Sequence, residues 1–159
     1  MTVYAGDSDY RHGTPPRLGV LVTNLGTPAD ASPAAVRRYL KEFLWDPRVV
    51  ERPRWLWWLI LNGIILQTRP RRSAAAYRKV WTPEGSPLLY ISRRQADALG
   101  EELARRLDAP VEVTLAMRYG EPSIPDALEA LRAAGVRRLL VLPLYPQYSA
   151  TTTASTFDA

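Results

Sequence analysis

The chain has 159 residues, of which 47% are apolar and 23% charged, so it is long enough for one domain with a hydrophobic core. It contains no cysteine, which excludes disulfides, thiolate nucleophiles and an iron–sulfur cluster. Residues 1–16 lack the basic start and apolar run of a secretory signal, and we interpret them as a flexible tail on a cytoplasmic protein. The single histidine, His12, lies in this tail and is expected to be inert.

The first predicted elements are a strand and a helix. The apolar run from Leu18 to Asn24, closed by Gly26 and Pro28, predicts a buried strand. Ser32 and the proline that follows it predict the N-cap and first turn of a helix. Residues 46–53 read as a break between helices.

Three more helices are predicted in the next segment. Pro53 is expected to start a helix through the tryptophans, and residues 71–81 are rich in helix formers. Ser86 and Pro87 repeat the cap-and-proline signal and predict a long helix that ends near Leu107.

The remaining chain predicts a second strand at Val111–Met117, a helix that Ser123 caps and Gly135 ends, and a third strand in residues 137–146. Three apolar strands joined by helices indicate an α/β fold with a parallel sheet of the doubly wound type. Ligands bind such sheets at the carboxyl ends of the strands. Function is therefore expected at the rim formed by "NLGTP", "MRYGEP" and "PLYPQYS".

The rim residues allow more than one interpretation. The turn "NLGTPAD" has one glycine and is not a dinucleotide-binding fingerprint. Arg118 suits either a ligand carboxylate or a structural ion pair with an acid such as Glu121. Tyr119, Tyr145 and Tyr148 either line a flat apolar ligand or form the end of the core, and residue type favours the core.

A basic, tryptophan-rich segment stands out in the charge pattern. From Arg52 to Lys79 the sequence has seven basic residues and no acid. The apolar run Trp55–Leu66 is shorter than the about 20 residues that span a bilayer. The segment fits a core helix, a membrane-surface helix or one wall of a pocket for an amphipathic anion. Nucleic acid is disfavoured because the aromatic residues cluster instead of alternating with the basic ones.

Four motifs in order resemble the N-terminal half of the ferrochelatases, which insert ferrous iron into a porphyrin in the last step of haem synthesis. They are "GVLVTNLGTP", "AYRKVWTPEGSPL", "MRYGEPSI" and "LPLYPQYSATTTAST". The resemblance spans residues 17–159. It implies a Rossmann-like, chelatase-type domain without a nucleotide, the first of two similar domains that face each other across a cleft.

The resemblance also implies roles for individual residues. The positions that match porphyrin contacts in the family are Leu25, Arg69, Tyr77, Ser86, Arg118 and Tyr119. Those that match the pocket rim are Tyr145, Gln147, Tyr148 and Ser149. Leucine at position 25, under the macrocycle, points to protoporphyrin IX instead of coproporphyrin. The segment Trp55–Leu66 matches the apolar lip of the pocket, where membrane contact is also expected.

The implied enzyme is a lyase with ferrous iron and protoporphyrin IX as substrates and with no tightly bound cofactor. The resemblance places an essential histidine and a carboxylate beyond Ala159. No catalytic residue is therefore assigned here, and the chain is interpreted as a truncated fragment, inactive without its C-terminal partner domain. The alternatives are a non-catalytic porphyrin- or haem-binding module and a peripheral membrane module at the inner membrane face.

Overall fold

A computed structural model describes Gly13 and residues 17–159. The elements in chain order are β1 (Arg17–Gly26), α1 (Pro33–Trp45), α2 (Arg54–Ile60), α3 (Leu66–Val80), α4 (Pro87–Arg106), β2 (Val111–Tyr119), α5 (Ile124–Ala133), β3 (Val136–Pro143) and α6 (Ser155–Phe157). Two π-helical turns occupy Leu61–Ile65 and Ala150–Ala154. Apart from Gly13, the predicted tail and His12 lie outside the described residues.

The three strands form one parallel sheet in the order β2-β1-β3, with Val20 of β1 level with Val113 and Leu140. The predicted α/β architecture with a parallel sheet is therefore confirmed. The chain moves from β1 to one neighbour and then crosses back to the other side. In open α/β sheets such a reversal creates a crevice at the carboxyl ends of the strands.

The two faces of the sheet are covered by different helices because side chains alternate along a strand. Val20 and Val22 pack with Leu115 and Met117 against Ala96 of α4. The other face packs against α5; its buried members are Leu21, Ala116, Ile124, Ala127 and Leu131. Both faces of β1 are thus in the core, as its continuous apolar sequence predicts.

Two of the predicted helix caps form as expected. The Ser32 hydroxyl accepts a hydrogen bond from the Ala35 N–H at 3.2 Å, and Ser123 does the same for Asp126 at 3.2 Å. Ser86 occupies the N-cap position of α4, but its side chain makes no capping hydrogen bond. That hydroxyl is used in a different contact, described below.

The second and third predicted helices are one continuous helical segment from Arg54 to Val80. The π-helical turn Leu61–Ile65 joins α2 to α3, and Pro70 lies inside α3. A wide turn and a proline both leave backbone carbonyls without their usual partners. Two side chains also donate to backbone carbonyls of this segment: Asn62 to that of Trp58 at 2.9 Å and Thr68 to that of Ile64 at 2.9 Å.

Two rim glycines are required by the close approach of the ends of β1 and β2. Gly26 has a φ of +111°, and a Cβ at this position would lie 1.8 Å from the carbonyl oxygen of Tyr119. Gly120 has a φ of +82°, with the Thr27 carbonyl oxygen 2.7 Å from its would-be Cβ. The glycines of "NLGTP" and "RYGEP" therefore serve backbone packing.

We predict that Gly26→Ala lowers the free energy of unfolding by more than about 3 kcal/mol, because a left-handed alanine is strained and its Cβ meets the β2 backbone. Gly63→Ala is the control, since nothing lies within 4 Å of a Cβ there. An alanine in that helical turn should stabilise by about 0.5–1 kcal/mol. Urea unfolding of both variants measures the difference; equal stabilities would contradict the proposed contact.

Candidate functional site

The carboxyl ends of the three strands lie side by side, as the sequence predicts. They carry Leu25 on β1, Arg118 and Tyr119 on β2, and residues 144–149 after β3. The Leu144 N–H donates to the Thr23 carbonyl at 2.8 Å, so the pairing of β3 with β1 continues past the end of the strand. The chain then turns across the rim and reaches the end of β2 through Ser155, which contacts Arg118 and Tyr119.

The innermost contact of this rim is the carboxylate of Asp46, the residue directly after α1. Its Oδ2 accepts hydrogen bonds from the Ser155 hydroxyl at 2.6 Å, the Tyr119 hydroxyl at 2.7 Å and Nη2 of Arg118 at 2.8 Å. Its Oδ1 accepts the Arg48 backbone N–H at 2.7 Å. The Asp46 side chain is only 4% exposed. We call Asp46, Arg118, Tyr119 and Ser155 the rim network.

The rim network keeps Asp46 charged. Burial by itself would raise the pKa of this carboxyl group, but the hydrogen bonds from Ser155 and Tyr119, with the Arg48 N–H and the Arg118 charge, outweigh it and hold the pKa below its ordinary value. Burial raises the pKa of the Tyr119 phenol, and the adjacent Asp46 carboxylate adds to this. At neutral pH the network therefore contains a carboxylate and a protonated phenol.

Arg118 takes part in a structural ion pair, one of the two alternatives that its sequence position left open. The partner is Asp46, not Glu121. Its Nε also donates to the Ser155 carbonyl oxygen at 2.7 Å and to the Ser155 hydroxyl at 2.8 Å. Its Nη1 makes no hydrogen bond to a described residue and is the nitrogen that remains for a ligand.

The three rim tyrosines differ in burial. Tyr119 is 1% exposed and packs edge-on against Phe43, with ring centroids 5.1 Å apart, so the core interpretation holds for this residue. Tyr145 is half-buried, and burial raises its pKa. Tyr148 is 73% exposed beside the exposed Gln147. The exposed side chains of Gln147 and Tyr148 can meet a ligand without any rearrangement of the core.

Serine side chains at the rim have structural partners. Ser149 begins the second π-helical turn and lies 2.7 Å from the Thr152 hydroxyl. Ser86 is 6% exposed and accepts a hydrogen bond from the Thr27 hydroxyl at 2.8 Å. Its own hydroxyl proton makes no hydrogen bond to a described residue. Through Thr27, Ser86 ties the start of α4 to the end of β1.

The remaining predicted porphyrin contacts lie outside the rim network. Arg69 and Tyr77 are both on α3, and Arg69 is exposed without a hydrogen bond or ion pair to the described residues. Tyr77 is half-buried and meets Trp81 edge-on at 6.2 Å between ring centroids. Leu25 is half-buried. The structure thus joins Arg118 and Tyr119 directly but leaves Arg69 and Tyr77 on a separate helical wall.

The tryptophan-rich segment, which we call the lip and define as Trp55–Leu66, is a surface feature. No residue of α2 is buried, and Trp55, Trp58 and Ile64 are 70%, 54% and 60% exposed. The core-helix interpretation is therefore wrong for α2, whereas Leu61 and Leu66 in the second half of the lip are each 1% exposed and belong to the core. Trp57 is half-buried and anchors the lip, because its ring N–H donates to the Leu44 carbonyl at 2.7 Å.

A shallow cavity of ≈ 390 Å³ lies between α1 and the lip. Its lining residues are Arg38, Lys41, Glu42, Trp45, Trp58, Leu61 and Asn62. Among residues 17–159, no helix is long and apolar enough to cross a membrane. The same residues contain no group of three or more metal-ligating His, Asp or Glu side chains.

The parallel sheet, the helices on both of its faces and a strand-end rim without a nucleotide-binding glycine turn define a chelatase-type α/β domain. The ferrochelatase family profile matches residues 17–159, and the chain belongs to the ferrochelatase family. The resemblance seen in the sequence is therefore confirmed.

Individual relatives agree with the family match. The ferrochelatase of Thioalkalivibrio sulfidiphilus is 68% identical over 155 residues, which cover 98% of this chain and 42% of that protein. The ferrochelatase of Marinobacter nauticus is 61% identical, with 98% of this chain and 42% of the relative covered. That of Teredinibacter turnerae is 60% identical over 95% of this chain and 41% of the relative. The chain spans about two-fifths of the length of these curated relatives.

Sequence reasoning assigned no role to Asp46 or Ser155. Asp46 lies in the segment interpreted as a break, and Ser155 lies in a run of hydroxyl residues. They are 109 positions apart in sequence. The only local signal was an aspartate directly after an apolar helix end, which is also typical of an ordinary turn.

We predict that Asp46→Asn lowers the free energy of unfolding by about 2 kcal/mol at pH 7, since it weakens charge-assisted hydrogen bonds. The folded pKa of Asp46 is depressed, so its contribution is present above the unfolded value of about 4 and is lost as pH falls through the folded pKa. The gap between wild type and variant should therefore shrink at acidic pH. Urea unfolding at pH 7 and pH 3 tests this, and a gap of equal size at both would contradict it.

Proposed function

We propose that this chain forms one wall of an enzyme that inserts ferrous iron into protoporphyrin IX, with both molecules as substrates and no resident cofactor. The observation that carries the proposal is the ferrochelatase match over residues 17–159, combined with a rim that holds Arg118 and Tyr119 at the strand ends. The three relatives described above are all named ferrochelatase, which supports the same reaction.

The chemistry of the wall suits a porphyrin. A porphyrin is a flat apolar disc with carboxylates at its edge, so it requires apolar contacts for the ring and cations for the edge. Leu25 offers an apolar side chain at the rim, and exposed Arg69 offers a cation that no described acid neutralises. We infer that the ring lies near Leu25 and that a propionate reaches Arg69.

The rim network is suited to holding its side chains in fixed orientations and not to accepting a proton from the substrate. Iron insertion releases the pyrrole N–H protons, and a general base needs a pKa near the working pH. Asp46 has a lowered pKa and Tyr119 a raised one, so neither is poised to take a proton at neutral pH. These two residues therefore serve to orient neighbouring groups, and no catalytic base is assigned among the described residues.

The direct test uses the full-length gene product with metal-free protoporphyrin and ferrous iron under anaerobic conditions. Haem formation above a heat-treated control supports the proposed reaction. Porphyrin binding without haem formation would identify a non-catalytic porphyrin-binding module instead. Absence of both would exclude the porphyrin site itself.

We predict that Arg69→Ala weakens porphyrin binding roughly ten- to a hundred-fold, since a charge-assisted hydrogen bond contributes about 1.5–3 kcal/mol. The lower end is favoured because Arg69 is exposed, and kcat should change less than affinity because the ring centre is remote from this edge. Arg71→Ala, also exposed on α3, is the control for loss of positive charge. Unchanged affinity with a collapsed kcat would show that Arg69 is not a propionate anchor.

A second proposal concerns the lip. Trp55, Trp58 and Ile64 form an exposed apolar surface, and the exposed Arg52 lies shortly before the lip. This combination suits the headgroup region of an anionic membrane. We propose peripheral contact of a cytoplasmic protein with the inner membrane face.

We predict that Trp55→Ala and Trp58→Ala each weaken binding to anionic vesicles roughly tenfold, about 1.4 kcal/mol, because each removes apolar area from the interface. Added salt should weaken the arginine contribution. Phe157→Ala is the control, since Phe157 is 65% exposed but lies outside the lip. Vesicle co-sedimentation at low salt measures binding. A wild-type protein that stays in the supernatant would contradict the membrane proposal.

A further inference from the structure

Donors from three separate parts of the chain meet on the carboxylate of Asp46. Oδ2 of Asp46 accepts from Arg118 and Tyr119 at the end of β2 and from Ser155 in α6. On the other side of the carboxylate, Oδ1 holds the Arg48 backbone N–H. The Arg48 guanidinium in turn donates two hydrogen bonds to the Asp158 carboxylate, from Nε to Oδ2 at 2.5 Å and from Nη2 to Oδ1 at 3.1 Å.

Stability alone does not account for this arrangement. The energy of burying a charged pair is offset in large part by the desolvation of both ions, and apolar residues of similar volume often serve as well. A network with several fixed donors does supply a single orientation for each side chain. The network fixes two nitrogens of the Arg118 guanidinium and the hydroxyl of Tyr119.

Within the rim network, the guanidinium group of Arg118 is the group whose orientation is fixed by the most hydrogen bonds. Nε donates to Ser155 and Nη2 donates to Asp46, so the plane of the guanidinium is determined, and Nη1 is the nitrogen without a partner among the described residues. The Arg118 guanidinium carbon also lies 4.6 Å from the centroid of the Tyr119 ring. Without the carboxylate, Arg118 would lose its charge partner and Tyr119 its acceptor at the same time.

We propose that Asp46 is a positioning residue of the porphyrin site. It sets the guanidinium of Arg118, the ring of Tyr119 and the chain after β3 in one fixed arrangement, without touching the substrate itself. The inference rests on the proposed function, and it goes beyond it because Asp46 belongs to none of the motifs that carry the family resemblance.

The test compares Asp46→Ala with wild type in the full-length gene product. Kinetics are taken well below the unfolding temperature, and kcat is expressed per folded molecule. Displacement of groups around a reacting centre by about 1 Å costs on the order of a hundred-fold in rate, so we expect kcat to fall by about that factor. The KM for porphyrin should stay within about twofold, because Arg69 and the lip do not depend on Asp46.

Two further variants keep the test decisive. Ser155→Ala removes the hydroxyl that contacts Asp46 and Arg118 and preserves the hydrogen bond from Arg118 to the carbonyl of residue 155. This variant should also lower kcat, by a smaller factor than Asp46→Ala. Asp46→Asn can present its amide oxygen to the three donors and should restore part of the kcat lost in Asp46→Ala. Asp158→Ala is the matched control, since it releases Arg48 but touches neither Arg118 nor Tyr119.

Each outcome has a defined meaning. A wild-type kcat in folded Asp46→Ala or in Ser155→Ala, with reduced stability as the only change, would overturn the positioning role. A raised KM with unchanged kcat would do so as well, since it would assign Asp46 to binding. A wild-type gene product that forms no haem would instead defeat the proposed function, and the inference with it.

Discussion

The hydrogen bonds to the buried carboxylate of Asp46 are the constraint on which the rest of the rim depends. A carboxylate that is only 4% exposed is stable as an anion only if donors replace the water that it has lost. Those donors come from β2, from α6 and from the loop after α1. The carboxylate therefore acquires its full set of partners only when these parts of the chain have come together.

This constraint divides the wall into a rigid part and an adaptable part. The rigid part comprises the ends of β1 and β2, where Gly26 and Gly120 allow the backbones to touch and where Tyr119 is 1% exposed. The adaptable part comprises the exposed side chains of Arg69, Tyr148 and the lip. A flat, carboxylated substrate would meet hydrogen-bonded, buried groups at its centre and exposed cationic and aromatic side chains at its edge, a division that suits tight positioning of the ring.

The sequence predicted what is encoded locally. The three strands and the caps at Ser32 and Ser123 follow from short patterns of apolar, hydroxyl and proline residues, whereas the lip was implied by the family resemblance. Contacts between distant residues could not be predicted, because periodicity carries no information about them. Asp46 and Ser155 are 109 positions apart, and Ser86 resembles an ordinary cap until Thr27 is seen beside it. A structural ion pair of Arg118 was one of two open alternatives, but its partner Asp46, 72 positions away, could not be identified for the same reason.

The most direct test of the account is a crystal structure of the full-length gene product with a metal-free porphyrin bound. We expect the macrocycle to lie against Leu25, a propionate oxygen to lie within about 3.2 Å of the Arg69 guanidinium, and Arg118 to remain paired with Asp46. A macrocycle bound away from the strand ends would contradict the proposed site. An Arg118 guanidinium that leaves Asp46 to bind a propionate would contradict the view that the buried carboxylate fixes the inner wall.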